Sequence, residues 1–317
     1  GILRSMKVDA LALTGGEAGI ITDSNFGAAK PLMEETSRRV ANRILPLIKI
    51  KKSVPVITGY IAVNKHGAIT TFGRGGSDYT ASIIGAGINA DEIWMWKDVD
   101  GIMSTDPKLV PEATILPVVS YLEAMELSFF GARVLHPKTI EPAIQKGIPV
   151  RVRNTFNPEK KGTLIVKKLD QVKDIAKAVT VVKNVALINI TGAGMAGTPG
   201  VAARVLAALA RAAVNVVMIS QGSSLANISI LVEATHLDRA IRSIREEFTD
   251  NVIRDISYNE NVCAVALVGA GMIGTPGVAG RVFTAMGRNN INVVMISQGS
   301  SEANISFVIN KDAAQKA

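Results

Sequence analysis

The amino-acid sequence predicts an α/β protein in two parts: a mostly parallel sheet sandwiched by helices, then two ferredoxin-like βαββαβ units. Three observations lead there. Between Val8 and Asp100, short β-branched runs alternate with segments of helical spacing, as in a parallel sheet covered on both faces. A glycine-rich turn, Gly73-Arg74-Gly75-Gly76, joins a strand pattern to a helix pattern. Residues 184–233 align with 261–310 at a constant offset of 77, without a gap and with 30 of 50 positions identical. That period is too long for a solenoid, so the last third is a tandem duplication.

Taken in order, Val8–Leu13 reads as a buried strand with nothing before it, and the chain is expected to enter partway into a domain. Gly15-Gly16 ends that strand and Thr22–Lys30 reads as loop. Glu34–Ile50 has helical spacing through Val40, Ile44, Leu47 and Ile48, with Pro46 expected to kink or restart it. Val54–Thr58 is a short strand, and Ile69–Phe72 is another, closed by Gly73. Ser77-Asp78 then open the helical pattern Tyr79–Ile88, with Ser77 as N-cap. Glu92–Trp96, Pro149–Asn154 and Thr163–Val166 read as strands, and Ser120–Phe130 and Lys138–Lys146 as helices. The expected divisions are a domain over 1–166, a linker over 167–183, and repeated units over 184–257 and 261–317, the second incomplete. His236–Phe248 and Asn251–Ile256 supply the closing helix and strand of the first unit.

Composition narrows the class. An apolar fraction of 48% is ample for a core. The net charge of +8 comes with no basic run or aromatic–basic interleaving, so nucleic acid is not indicated and small anionic ligands fit better. The single Cys263 excludes a disulfide framework; it aligns with Ala186 on a strand and reads as a buried structural thiol. No secretory segment and no apolar run of membrane-spanning length is present, so a soluble, cytoplasmic protein is expected.

Two loops carry chemistry. Glycines in the 73–76 turn admit a ligand close to the backbone, and the helix start offers free N–H groups and a positive dipole end. Arg74 adds a planar fork for a carboxylate or phosphate, and Asp78 an acceptor for a cation or ammonium. The loop can therefore grip both ends of an amino acid, or a phosphate; the same residues also fit an ordinary glycine-rich turn. The second loop, Lys97–Lys108, places three carboxylates and two lysines in twelve residues. It suits a nucleotide with Mg²⁺, and equally a solvated Asp/Gly turn. Its spacing is not that of a calcium loop, and the sequence contains no P-loop. Gly192-Ala-Gly-Met-Ala-Gly197 satisfies the dinucleotide fingerprint. However, Val216–Gln221 ends without the acidic residue that a ribose needs, and Pro199 interrupts the helix start, so NAD is excluded there.

With these residues in view, the chain resembles the aspartokinases of the amino acid kinase family. Phe72-Gly-Arg-Gly-Gly-Ser-Asp78, then Lys97-Asp-Val-Asp-Gly101 through Thr105-Asp-Pro107, then Phe130-Gly-Ala-Arg-Val-Leu-His-Pro137 are similar to that family's motifs in their order. The tandem units resemble its ACT regulatory domains. The resemblance implies an amino acid kinase fold, and ATP-dependent phosphorylation of the L-aspartate β-carboxylate to 4-phospho-L-aspartate, with Mg²⁺. That is the entry step to lysine, threonine and methionine. It further implies feedback control and a homo-oligomer formed through the ACT domains. Another amino acid kinase, or a non-catalytic amino-acid-binding regulatory subunit, are the alternatives.

Residue by residue, the resemblance gives Arg74 the substrate α-carboxylate and Asp78 its α-ammonium, within the substrate loop of Gly75, Gly76 and Ser77. It gives the nucleotide to Lys97, Asp98, Met103, Asp106 and Lys108; a tyrosine is often seen where Met103 stands. Arg133, where a relative can carry lysine, would stabilise the transferring phosphoryl group, making Arg133 and Asp78 the catalytic residues. The family's N-terminal Lys-Phe-Gly-Gly-Thr-Ser segment is not in this chain, so the chain alone is expected to be inactive. The effector is expected at the loops Gly194–Gly200 and Gly271–Gly277, with Met195, Asn215 and Gln221 in one copy and Met272, Asn292 and Gln298 in the other. Their side-chain amides suit a hydroxyl and an ammonium without formal charge, which favours threonine over lysine.

Overall fold

Short strands and amphipathic helices alternate through the first part of the computed structural model, which describes residues 1–129, 135–169, 174–222, 226–250, 252–299 and 301–317. The chain divides into two units, Gly1–Ser104 with Thr114–Val172, and Thr105–Ala113 with Lys173–Ala317.

The first unit runs α1 (Ile2–Ser5), β1 (Ala10–Leu13), β2 (Ile21–Thr22), α2 (Met33–Lys49), β3 (Val54–Ile57), β4 (Ile61–Asn64), β5 (Ile69–Thr71), α3 (Gly76–Ile88), β6 (Ile93–Lys97), β7 (Val118–Ser120), α4 (Tyr121–Phe129), α5 (Pro137–Lys146), β8 (Val150–Asn154) and β9 (Thr163–Val166). Helix α2 forms because Thr36, Val40, Ile44 and Leu47 fall on one buried face. That face packs with Leu13, Ile20, Ala62, Phe72 and Ile83 in one core. Helix α2 runs on through Pro46 and does not restart there. Pro46 stands in the last turn, and its carbonyl accepts from the amides of Ile50 and Lys51 (3.1 and 3.2 Å), which close the helix end.

The sheet is divided among the described residues into three. β1 pairs parallel with β3; β4 lies between a parallel β2 and an antiparallel β5; and the third sheet has the order β6-β8-β9-β7, with β6–β8 and β7–β9 parallel. Helices α3 and α5 pack along one another.

The second unit runs β10 (Ala178–Thr191), α6 (Val201–Arg211), β11 (Val216–Gln221), β12 (Asn227–Glu233), α7 (Leu237–Glu247), β13 (Asp255–Val268), α8 (Val278–Arg288), β14 (Val293–Gln298) and β15 (Asn304–Asn310). Its antiparallel sheet has the order β11-β12-β10-β13-β15-β14. The two long central strands interlock the repeats. The first half of β10 pairs with the second half of β13 (Ala178 opposite Val268), and the second half of β10 with the first half of β13 (Thr191 opposite Asp255). Val179 and Val181 accordingly pack on the core of the second copy, and Ile256 on that of the first. A Cβ at Gly192 would stand 2.4 Å from the Val252 carbonyl oxygen, and one at Gly269 2.5 Å from that of Ile175, so only glycine fits at either crossing.

This differs from the sequence-based division. β10 begins at Ala178, inside the stretch expected to be linker, and β13 runs without a break across the expected boundary between the units at 257–261. The partners of residues 178–182 lie at 264–268, too far along the chain for local patterning to reveal the pairing. No helix among the described residues is long and apolar enough to cross a membrane.

The interlock yields a prediction. Ile190, fully buried on β10, should cost about 2–5 kcal/mol when changed to alanine. Urea unfolding followed by far-ultraviolet circular dichroism should show both copies losing structure in one transition; loss of one copy alone would contradict the interlock.

Candidate active site

The candidate site is built on the turn between β5 and α3. Gly73 and Gly75 adopt φ of +74° and +72°, a left-handed conformation in which a side chain is strained. Two such residues in close succession reverse the chain, and α3 starts at Gly76, three residues before Tyr79. Gly75 is its N-cap and no side chain caps it, which corrects the reading of Ser77 as N-cap: Ser77 is the second residue of the helix. The amides of Ser77 and Asp78 therefore have no acceptor among the described residues. They stand free at the positive end of a helix, where an anion is favoured.

The turn is held from both sides. Thr80 Oγ1 donates to the Gly76 carbonyl (2.9 Å) and accepts from the Tyr60 amide (3.0 Å), fixing Tyr60 at φ +74°, strained for a non-glycine residue. Behind the turn stands the start of α5. A Cβ at Gly75 would come within 3.0 Å of Thr139 Cγ2 and 3.2 Å of His136 Cβ. His136 is the N-cap of α5, its Nδ1 accepting from the Lys138 amide (3.3 Å).

Around this turn opens a cleft of about 510 Å³ lined by Tyr60, Gly73, Arg74, Gly75, Gly76, Ser77, Asp78 and Lys97. Lys97, the last residue of β6, reaches across to Asp78, with Nζ 2.5 Å from Oδ2. Arg74 is exposed and has no ion-pair partner among the described residues. One guanidinium, one carboxylate–ammonium pair and two free amides thus face one cleft. Such a set can orient a molecule carrying both a carboxylate and an ammonium. Among the described residues, no three His, Cys, Asp or Glu gather as a metal site. Mg²⁺ commonly takes one or two carboxylates and completes its shell with nucleotide phosphates, so it does not require such a cluster.

Comparison with known proteins places the chain in a family. The amino acid kinase family matches residues 2–154, and the ACT domain matches 188–248 and 265–317. The bifunctional aspartokinase/homoserine dehydrogenase of Haemophilus influenzae is 37% identical over 289 residues, 90% of this chain and 35% of the relative. Clostridium acetobutylicum aspartate kinase superposes with a TM-score of 0.85 at 30% identity, over 99% of this chain and 70% of that one. The chain belongs to the aspartokinase family.

E. coli aspartokinase III is similar as well. Its structure with aspartate and ADP gives a TM-score of 0.81 at 29% identity, and its structure with lysine and aspartate gives 0.83 at 30%; each matches 99% of this chain and 69% of that one. The chain spans about a third of the length of the bifunctional relatives it matches.

In this aspartokinase-family chain the expected substrate residues Arg74, Gly75, Gly76, Ser77 and Asp78 come together, and Lys97 joins them. The rest of the expected nucleotide set does not line the cleft. Asp98 follows the end of β6, and Met103 forms a bridge with Ile115. Asp106 and Lys108 lie in the Thr105–Ala113 segment of the second unit, where Asp106 Oδ1 accepts from the Lys108 amide (2.9 Å). Arg133 lies outside the described residues. Met195 and Met272, expected at the effector, are instead core residues, 2% and 3% exposed. Asn215, Gln221, Asn292 and Gln298 are exposed, next to or at the ends of β11 and β14. In the second copy the Gly274 amide donates to Glu302 Oε2 (2.6 Å), a carboxylate that Leu225 replaces in the first.

Sequence reasoning missed Asp100, which accepts from Asn154 Nδ2 (2.7 Å) and pairs with Lys160 Nζ (2.6 Å), tying the loop after β6 to the end of β8. Those contacts hold its carboxyl below the ordinary range, Lys160 contributing most. It also missed Arg153, whose guanidinium lies over Trp94 and Trp96 at 4.5 and 4.9 Å.

Burial, with Lys138 and Arg74 nearby, holds the His136 imidazole below its ordinary pKa. The neutral ring is the one that caps α5. Because the folded value lies below the unfolded value of about 6.5, the cap's contribution is present above that pH and is lost as pH falls through the lowered value. His136→Asn keeps an N-cap acceptor that does not titrate. In thermal melts it should lose less stability than the parent between about pH 7 and pH 5; equal losses would clear His136 of the effect.

Proposed function

We propose that this chain is the catalytic and regulatory part of an aspartate kinase, transferring the γ-phosphoryl group of ATP to the β-carboxylate of L-aspartate. The observation that carries the reading is the meeting of Arg74, Asp78 and Lys97 with the free amides of α3 in one cleft. Arg74 receives the α-carboxylate in its planar fork. Asp78 receives the α-ammonium, and the β-carboxylate is then left as the only free acceptor. The complex of E. coli aspartokinase III with aspartate and ADP supports both ligands.

ATP with Mg²⁺ supplies the phosphoryl group. Lys97 and Asp98, at the carboxyl end of β6, are the residues for the nucleotide, as ligands of such sheets lie beyond the carboxyl ends of strands. Family resemblance gives Arg133 the charge that develops on the transferring group. Positioning and electrostatic stabilisation supply most of the catalysis in such transfers.

The ACT repeats bind an amino-acid effector at the loops that precede α6 and α8, and couple it to the kinase with about 1–3 kcal/mol. Threonine is favoured over lysine, because the strands from Asn215 to Gln221 and from Asn292 to Gln298 contain no carboxylate to meet an ε-ammonium. E. coli aspartokinase III, by contrast, is known with lysine.

Isothermal titration tests both parts. L-Aspartate should bind the protein, and Arg74→Ala should weaken it by about 2–5 kcal/mol, the cost of removing one half of a desolvated charge pair, with nucleotide affinity nearly unchanged. Equal losses for both ligands would take the α-carboxylate away from Arg74. Threonine should give heat where lysine gives none; lysine heat with threonine silent would reverse the choice of effector.

A further inference from the structure

Asp78, to which the proposed function gives the substrate's α-ammonium, already holds an ammonium. Lys97 Nζ lies on Asp78 Oδ2, and the side chains are only 23% and 20% exposed. Lys97 ends β6 and Asp78 stands in the first turn of α3, so the pair joins the two elements that wall the cleft beside Arg74.

We infer that Lys97 limits selectivity for amino acids: its ε-ammonium fills the ammonium subsite of the unliganded protein, and an amino-acid ligand must displace it. This inference rests on the reading of the cleft as an L-aspartate site. Both groups are compact primary ammoniums with three donors, so each satisfies the same carboxylate in the same way. A carboxylate this far out of water is costly without a counter-charge, and Lys97 supplies one while the site is empty. The flexible four-carbon stem lets Nζ leave when a second ammonium arrives, which frees it for the anionic side of the cleft. A ligand without an ammonium leaves the pair closed. Lys97 therefore penalises amino-acid ligands and spares des-amino dicarboxylates, narrowing the gap between them.

The test is isothermal titration of the full chain with L-aspartate and with succinate, nucleotide absent, for the parent, Lys97→Met and Lys97→Arg. If the pair is closed about nine-tenths of the time, Lys97→Met should bind L-aspartate roughly tenfold more tightly, the competent fraction rising to one. Succinate should bind the same or more weakly, since it then faces an uncompensated Asp78. Lys97→Arg, which keeps a cation on Asp78, should show no such tightening. Should Lys97→Met fail to fold by circular dichroism, Lys97→Gln takes its place. Weaker L-aspartate binding in the methionine variant, or an equal change for both ligands, overturns the inference alone. Absence of L-aspartate heat with the parent overturns the site itself, and the inference with it.

Discussion

The cleft depends on one backbone constraint, two left-handed residues in close succession. With Gly73 and Gly75 at positive φ, the chain leaves β5, turns and enters α3 without a side chain to cap the helix. That omission leaves the first amides of α3 free for a ligand. It also sets Arg74 in the turn and Asp78 in the first turn of the helix, close enough for Lys97 at the end of β6 to reach. Thr80 and Tyr60 on one side, and His136 and Thr139 on the other, hold the turn in place. Residues in the cleft are thus positioned by a helix start, a strand end and the backbone shape of the turn between β5 and α3.

The second unit depends on a different device. Each repeat supplies half a strand to its twin, so neither copy closes its sheet alone. At Gly192 and Gly269 an added Cβ would stand 2.4 and 2.5 Å from a backbone carbonyl oxygen, which gives the repeated glycines a packing reason independent of any ligand. The copies are not equivalent: the carboxylate of Glu302 already occupies the Gly274 amide, whereas the first copy carries leucine at that position.

Much of this was legible in the sequence, for a physical reason. The Gly73–Asp78 turn is contiguous, so residue types and order are enough to place Arg74 and Asp78 together. The duplication is visible because it is nearly gapless. What was illegible depends on distance along the chain. The Lys97–Asp78 pair spans 19 residues and the Lys160–Asp100 pair 60, and neither has a local signature. The strand at Ile61–Asn64 is too short to show a period, and the start of β10 shows its role only against a partner more than eighty residues on. The serine cap failed because a glycine conformation, not a side-chain oxygen, starts α3. Met195 and Met272 repeat along with the glycine loops, but repetition alone does not separate a packed side chain from a binding one.

The most direct test of the central claim, that Arg74 and Asp78 grip the two ends of one amino acid, is a crystal structure of the protein with L-aspartate. The α-carboxylate should lie within hydrogen-bond distance of the Arg74 guanidinium, and the α-ammonium on Asp78, with Lys97 Nζ moved off Oδ2. L-Aspartate bound with its ammonium away from Asp78, or with Arg74 taking no part, would contradict it.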